Sequence, residues 1–285
     1  MPPDSEPAPG VRALLAEPRF ELLPLEGFEE QLRRLPAGAT VAITASPSVG
    51  LEATIDRAET AAARGYAVVP HVAARYVRNE AHLEEIAARL ADAGVTDVFV
   101  PGGDRDEPIG EFDSAHALLA TLADLEYGFE EVGITGYPEG HPVIDDGTLA
   151  ASLARKEPYA TYVVTQLCYD HEAVLEWIAD LRARGIDLPV EVGIPGVVDS
   201  RRLLRLSRKV GVGESIGFLR KTGGIAGFVR RLVGGRGTYA PDELIDGLAP
   251  AATDPAYGVR GVHVYTFNRI AALESWRRGR LNRDR

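Results

Sequence analysis

The chain has 285 residues, of which 45% are hydrophobic, and a formal net charge of −11. That is enough apolar material for one large core of the size a barrel needs, and the acidic surplus argues against nucleic acid as a partner, because such binding rests on Lys and Arg neutralising phosphates. The single cysteine, Cys168, excludes an internal disulfide and a cysteine-based zinc site, and no run of 18 apolar residues is present to span a membrane.

Residues 1–18, beginning MPPDSEPAPG, read as a flexible tail. They lack the basic start and apolar centre of a secretory signal, so a cytoplasmic protein is expected. From residue 19 to 285 one catalytic domain is expected. Short runs rich in Val, Ile and Phe, at 20–25, 40–46, 67–74, 97–102, 131–138, 161–170, 189–196 and 260–267, predict eight strands. Amphipathic stretches lie between them, at 51–65, 79–94, 114–125, 171–185, 200–211 and 269–280. In the second, Leu83, Ile86, Ala87 and Leu90 share a face that Glu84, Glu85 and Arg89 avoid. Asn79 and Ser200 stand where N-caps belong, and Gly65, Gly94, Gly185 and Gly211 where a left-handed C-cap favours glycine. Eight βα units predict a single (β/α)₈ TIM barrel. An open doubly wound sheet is disfavoured because no GxGxxG follows the first strand. The glycine-rich stretch 222–237 reads as an extra element between the seventh and eighth strands; it lacks the GK[ST] ending of a phosphate-binding loop.

In such a barrel the loops at the C-terminal ends of the strands share one cleft, so polar residues there are the candidates for chemistry. Glu21 lies in the apolar run FELLPL, where alternation points it either into the barrel or outward; an apolar wall would raise its carboxyl toward the range of a general acid. Asp104 follows two glycines in VFVPGGD and reads either as a ligand-facing carboxylate or as a turn residue. His71 and His141 stand on neighbouring upper loops, suited to cofactor contacts or packing. Without a matched carboxylate or thiol they make a weak case for a metal, and none is expected. Gln166, in VVTQLCYD, needs partners for its amide, which a heterocycle's edge or an internal network supplies. Arg269, in HVYTFNR, suits a carboxylate held bidentately or a surface acid. Cys168 reads as a buried strand thiol, and His82, His116 and His171 as solvent-facing or capping residues. No GxSxG, HExxH or Cys-His pair supports a hydrolase.

Taken in order, FELLP, ITAS, PHVA, PGGD, YPEGHP, LARK, VVTQLCYD, IPG and HVYTFNR resemble the spaced motifs of the methylenetetrahydrofolate reductase family, a (β/α)₈ barrel, over nearly the whole chain from Phe20. The resemblance implies reduction of 5,10-methylenetetrahydrofolate to 5-methyltetrahydrofolate with NAD(P)H, NADH ahead of NADPH. Glu21 matches the family's general acid, which opens the ring to a 5-iminium cation, and Asp104 the aspartate that stabilises that cation. Gln166 and Arg269 match folate-binding positions. Thr44, His71, Gly103, Tyr137, His141, Arg155 and Lys156 match positions of the FAD site.

Departures from the family pattern gather on the flavin side. Gly102–Gly103–Asp104 stands where Arg-Gly-Asp is usual, Leu22–Leu23 replaces two phenylalanines, and Ala45–Ser46 replaces a tyrosine-glycine. The stretch between His141 and Lys156 is shortened, Pro158–Tyr159–Ala160 replaces DAGA, and a glutamine expected after the seventh strand falls near Leu203. The expectation is a reductase that holds FAD weakly or dispenses with it, passing hydride directly from NADH. Other readings are a folate-dependent methyl-transfer or demethylation partner, and a folate-binding protein without catalysis. Homo-oligomerisation stays open, and a C-terminal regulatory domain is not expected.

Overall fold

A computed structural model of the chain describes residues 8–45, 48–125, 127–199 and 238–282. Its main sheet is built from β1 (Arg19–Leu22), β2 (Thr40–Ile43), β3 (Ala67–Pro70), β4 (Asp97–Phe99), β5 (Glu131–Gly136), β6 (Tyr162–Thr165), β7 (Val190–Pro195) and, after a small antiparallel ribbon of β8 (Val198–Asp199) and β9 (Thr238–Tyr239), β10 (Val259–Tyr265). The order is β3-β2-β1-β10-β7-β6-β5-β4 with every pairing parallel. A bridge from His71 to Phe99, with the Val72 N–H donating to the Phe99 carbonyl at 2.8 Å, brings the two ends together. The ring is the expected eight-stranded (β/α)₈ barrel.

Period-two alternation sorts the strand side chains into two layers. Phe20, Leu22, Val41, Ile43, Val163, Val192, Val262 and Val264 join helix residues such as Ile55, Leu83, Ile86 and Ile178 in the large outer core. Ala42, Val69, Phe99, Tyr162 and Val164 form a smaller cluster inside the ring. Beneath that cluster, at the N-terminal ends of the strands, lies a floor of charge. Arg19 reaches Asp97 at 2.9 Å and Glu191 at 3.2 Å, while Arg260 reaches Glu191 at 2.8 Å and Glu131 at 2.9 Å. The Tyr162 hydroxyl accepts from Arg19 and donates to Asp97, each at 2.7 Å, and both guanidinium groups lie over its ring, at 4.3 and 4.4 Å. Each buried charge therefore meets an opposite one, which burial requires.

The helices are α1 (Pro9–Leu15), α2 (Phe28–Leu32), α3 (Gly50–Ala62), α4 (Glu80–Asp92), α5 (Ala115–Asp124), α6 (Asp146–Lys156), α7 (His171–Ala183), α8 (Asp242–Leu248) and α9 (Ile270–Leu281). Asn79 caps α4 as expected, its side chain accepting from the His82 N–H at 3.0 Å. Gly65, Gly94 and Gly185 end their helices with φ of 81°, 74° and 76°. The segment expected to be a flexible tail carries α1, whose Val11, Leu14 and Leu15 are buried and whose Leu15 carbonyl accepts from Arg277 at 2.8 Å. Its short apolar set fell below the length at which periodicity is legible. Strands end earlier than the apolar runs suggest. After Thr165 the side-chain hydroxyl, not the next main-chain carbonyl, accepts from the Gly193 N–H at 2.8 Å; after Leu22 the Asn268 amide bonds both the N–H and the carbonyl of Leu23. His82 is buried rather than solvent-facing, between the Arg78 N–H and Glu52. Ser200, Leu203, Gly211, the expected helix at 200–211 and the stretch 222–237 lie outside the described residues. Among the described residues no helix is long and apolar enough to cross a membrane.

Candidate active site

Register decides which face of β1 is buried in the ring. Phe20 and Leu22 go to the helices, so Glu21 between them points inward, paired with Ala42 on β2 and Tyr265 on β10. The same alternation along β10 sends Val262 and Val264 outward and His263 and Tyr265 inward. His263 Nε2 lies 3.1 Å from Glu21 Oε2, and the His71 ring, at the top of β3, lies 5.9 Å from that of His263. The Glu21 side chain keeps only 12% of its surface exposed. Burial raises its carboxyl from 4.5 to about 7, with nearby His71 pulling it down and Asp104 pushing it up. Burial likewise holds His71 at about 4 and His263 at about 3, so both imidazoles are neutral at physiological pH. His71 Nε2 and His263 Nδ1 are buried without a hydrogen-bond partner.

Ligand atoms of Glu21, His71 and His263 all lie within 4.8 Å of one another. The fold thus sets beside His71 the carboxylate that its neighbours in sequence lack, and the trio has the make-up of a metal-binding group. Its edge between Glu21 and His263 holds a hydrogen bond at 3.1 Å, so the same arrangement also suits a proton.

Around this cluster the mouth collects other expected residues. Asp104 is exposed on the loop after β4, near enough for its charge to act on Glu21, Tyr137 and His141. Gly103 before it sits at φ 96°, which favours glycine, and a Cβ there would crowd the Tyr76 ring at 3.1 Å. Gln166 follows β6, its Oε1 accepting from the Leu167 N–H at 2.8 Å. The Tyr265 hydroxyl donates to the Thr165 carbonyl at 3.1 Å, which sets that ring between the Glu21 and Gln166 sides of the mouth. Thr44, half-buried, donates to the Ala45 carbonyl at 3.3 Å. Arg269 is exposed just after β10, on a turn whose Asn268 grips Leu23.

Beside the mouth, between β5, α6 and α7, opens a cavity of about 700 Å³ lined by Tyr137, His141, Lys156 and Trp177 among others. His141 packs edge-on to Tyr137 at 5.4 Å. Lys156 is buried and donates to Thr135 Oγ1 at 3.0 Å, and burial lowers its amine to about 8. Arg155, one residue earlier on α6, is exposed and is not part of the cavity wall. Glu139 Oε1 accepts from the N–H groups of Tyr169 and Asp170, at 2.7 and 2.9 Å, tying the β5 loop to the loop that carries Gln166. Cys168 is a buried thiol, as expected.

A sequence model of the methylenetetrahydrofolate reductase family matches residues 24–215. The chain belongs to this family. It is 28% identical over 195 residues to methylenetetrahydrofolate reductase (NADH) 1 of Arabidopsis thaliana, which takes in 61% of this chain and 28% of that protein. It is 26% identical over 100 residues to methylenetetrahydrofolate reductase 2 of Saccharomyces cerevisiae, covering 34% of this chain and 17% of that one. A probable methylenetetrahydrofolate reductase (NADPH) of Caenorhabditis elegans is 28% identical over 136 residues, or 45% of this chain and 20% of that protein. The chain thus spans less than a third of the length of these curated relatives. Within the matched span fall Thr44, His71, Gly103, Asp104, Tyr137, His141, Arg155, Lys156 and Gln166; Glu21, His263, Tyr265 and Arg269 lie outside it.

The reductase family's flavin offers a test of the cavity. Its wall carries Glu139, Asp145, Asp146, Asp170, Glu176 and Asp180 against two cations, Lys156 and Arg184. Lys156 is already turned onto Thr135. At the end of β4 the backbone of Gly103 packs on Tyr76, and the next cation, Arg105, lies over the same ring at 5.6 Å. Burial raises Glu139 to about 7, so that acid is not a fixed charge; among the described residues the wall still carries more acidic than basic side chains, a balance that disfavours a diphosphate.

Nothing in the sequence alone marks His263, Tyr265 or Glu139 for these roles. The signal for the first two appears once Glu21 is placed inward, when alternation through HVYTF puts His263 and Tyr265 on the inner face.

Proposed function

We propose that this chain reduces 5,10-methylenetetrahydrofolate to 5-methyltetrahydrofolate, with NADH ahead of NADPH as donor. The reading rests most on one observation: a carboxyl at the top of β1, inside the ring, that burial raises to about 7. Such a group is half protonated near neutral pH, where a general acid works best. Glu21 gives its proton to N10 of the bridged folate as the bond from N10 to the methylene carbon breaks, leaving the N5 iminium. The Asp104 carboxylate at the mouth stabilises that cation, and hydride then adds to the methylene carbon. Gln166 recognises the pterin edge and Arg269 a folate carboxylate.

The acid-lined cavity and the loss of a cation at Gly102 favour hydride passing directly from the nicotinamide, whose own diphosphate need only visit the mouth from solvent. A protein confined to folate binding, or one serving methyl transfer, has no use for a buried proton donor facing the ligand. A cytoplasmic location accords with this chemistry. The test is an absorption spectrum of freshly purified protein followed by NADH oxidation with and without methylenetetrahydrofolate. Oxidation dependent on the folate, in protein without flavin absorbance, is the expected result. Stoichiometric flavin would overturn direct transfer, and no folate-dependent oxidation would overturn the reductase reading.

A further inference from the structure

Two tautomers of His263 are compatible with its contact to Glu21. In one, Nε2–H donates to Glu21 Oε2 at 3.1 Å and Nδ1 is a bare lone pair in an apolar wall. In the other, Nδ1–H is buried with no acceptor, and Nε2 accepts a proton carried by Oε2. A buried N–H without an acceptor is the rarer and costlier defect, so the first form wins. Among the described residues no other hydrogen bond reaches Oε2, and the charged floor is on the far side of His263 from the mouth.

We propose that His263 is a positioning residue: by donating Nε2–H to Oε2 of Glu21, it confines the acid's transferable proton to Oε1. This rests on the reductase reading for its purpose but not for its geometry. During the reaction the proton leaves Oε1 for N10, the electron pair of the broken carbon–nitrogen bond goes to N10, and the new negative charge on Glu21 already has a donor at Oε2. No proton needs to move on His263, whose ring burial and Arg19 keep neutral, with Glu191 opposing. The groups facing the pair are Arg19 from β1, His71 from β3, Asp104 from the loop after β4, Glu191 from β7 and Tyr265 from β10. Of these, Asp104 raises the Glu21 carboxyl as a whole, and the hydrogen bond to His263 distinguishes its two oxygens.

Nitrogen-15 spectra of histidine-labelled full-length protein, assigned with H263Q, give the tautomer directly. A neutral ring protonated at Nε2 from pH 6 to 9 is expected, and protonation at Nδ1 overturns the proposal. Activity gives a second reading. In H263Q the amide nitrogen stands near the place of Nε2, and kcat should stay within about 3-fold of the parent. In H263L the donor is gone: kcat should fall at least 10-fold with the Kd for folate little changed, and the decline of kcat at high pH should move upward because the carboxylate has lost its donor. H263L with parental kcat and pH profile overturns the assignment; if H263L does not fold, H263N, too short to reach Oε2, takes its place. Should the chain reduce no folate at all, the tautomer and a carbon-13 titration of Glu21 in the parent and H263Q still decide the matter.

Discussion

Replacing Glu21 by Gln separates the cost of this acid from its use. In the unfolded chain the carboxyl ionises near 4.5, whereas in the fold burial raises it to about 7. Between those pH values the unfolded state releases a proton that the folded state keeps, so stability falls as pH rises through the window, and the penalty is complete above about 7. The difference corresponds to about 3 kcal/mol. Gln has the same shape, and its carbonyl still accepts from His263, so E21Q should be more stable than the parent at pH 8 by as much as about 3 kcal/mol and no more stable at pH 4.5. Turnover should move the other way, dropping by roughly 10²- to 10⁴-fold while folate still binds. Urea unfolding at the two pH values, with folate binding and steady-state kinetics at pH 7, reads all of this. A variant that keeps parental turnover, or that is less stable than the parent at pH 8, refutes the reasoning.

Two further perturbations test the surroundings of the acid. R19M removes the cation shared by Asp97 and Glu191 and should lower stability by about 3 to 5 kcal/mol at pH 8; the loss should be smaller at pH 5, because burial raises Asp97 to about 6 and it is protonated there, which urea titrations at both pH values will show. D104N removes a negative charge that raises Glu21, so the decline of kcat with rising pH should begin at lower pH. Because Asp104 is exposed, the displacement should be less than about one pH unit and should shrink further in high salt; a displacement to higher pH would contradict the assigned sign.

The barrel was legible because its signals are local. Runs of Val and Ile alternate with helices capped by Asn79 or closed by Gly94, and each is read within about a dozen residues. The acid was half legible. FELLPL leaves Glu21 two faces, and only its pairing with Tyr265, more than two hundred residues away, selects the inner one. The histidine that bonds it was within a quoted motif yet anonymous there, because nothing in HVYTFNR says which strand stands alongside. Arg155 and Lys156 show the limit of carrying over adjacent positions: on a helix they point about 100° apart, and only Lys156 faces the cavity. The ion pairs of Arg19, Asp97, Glu131, Glu191 and Arg260 come from five strands, so no window of sequence contains the pattern.

Paired charges of Arg19, Asp97, Glu131, Glu191 and Arg260 fill the N-terminal end of the ring around Tyr162. Glu21 sits above them with 12% of its side chain exposed, so under the proposed reduction a folate seated against it limits the water that returns its proton, and reloading of the acid is expected to follow product release.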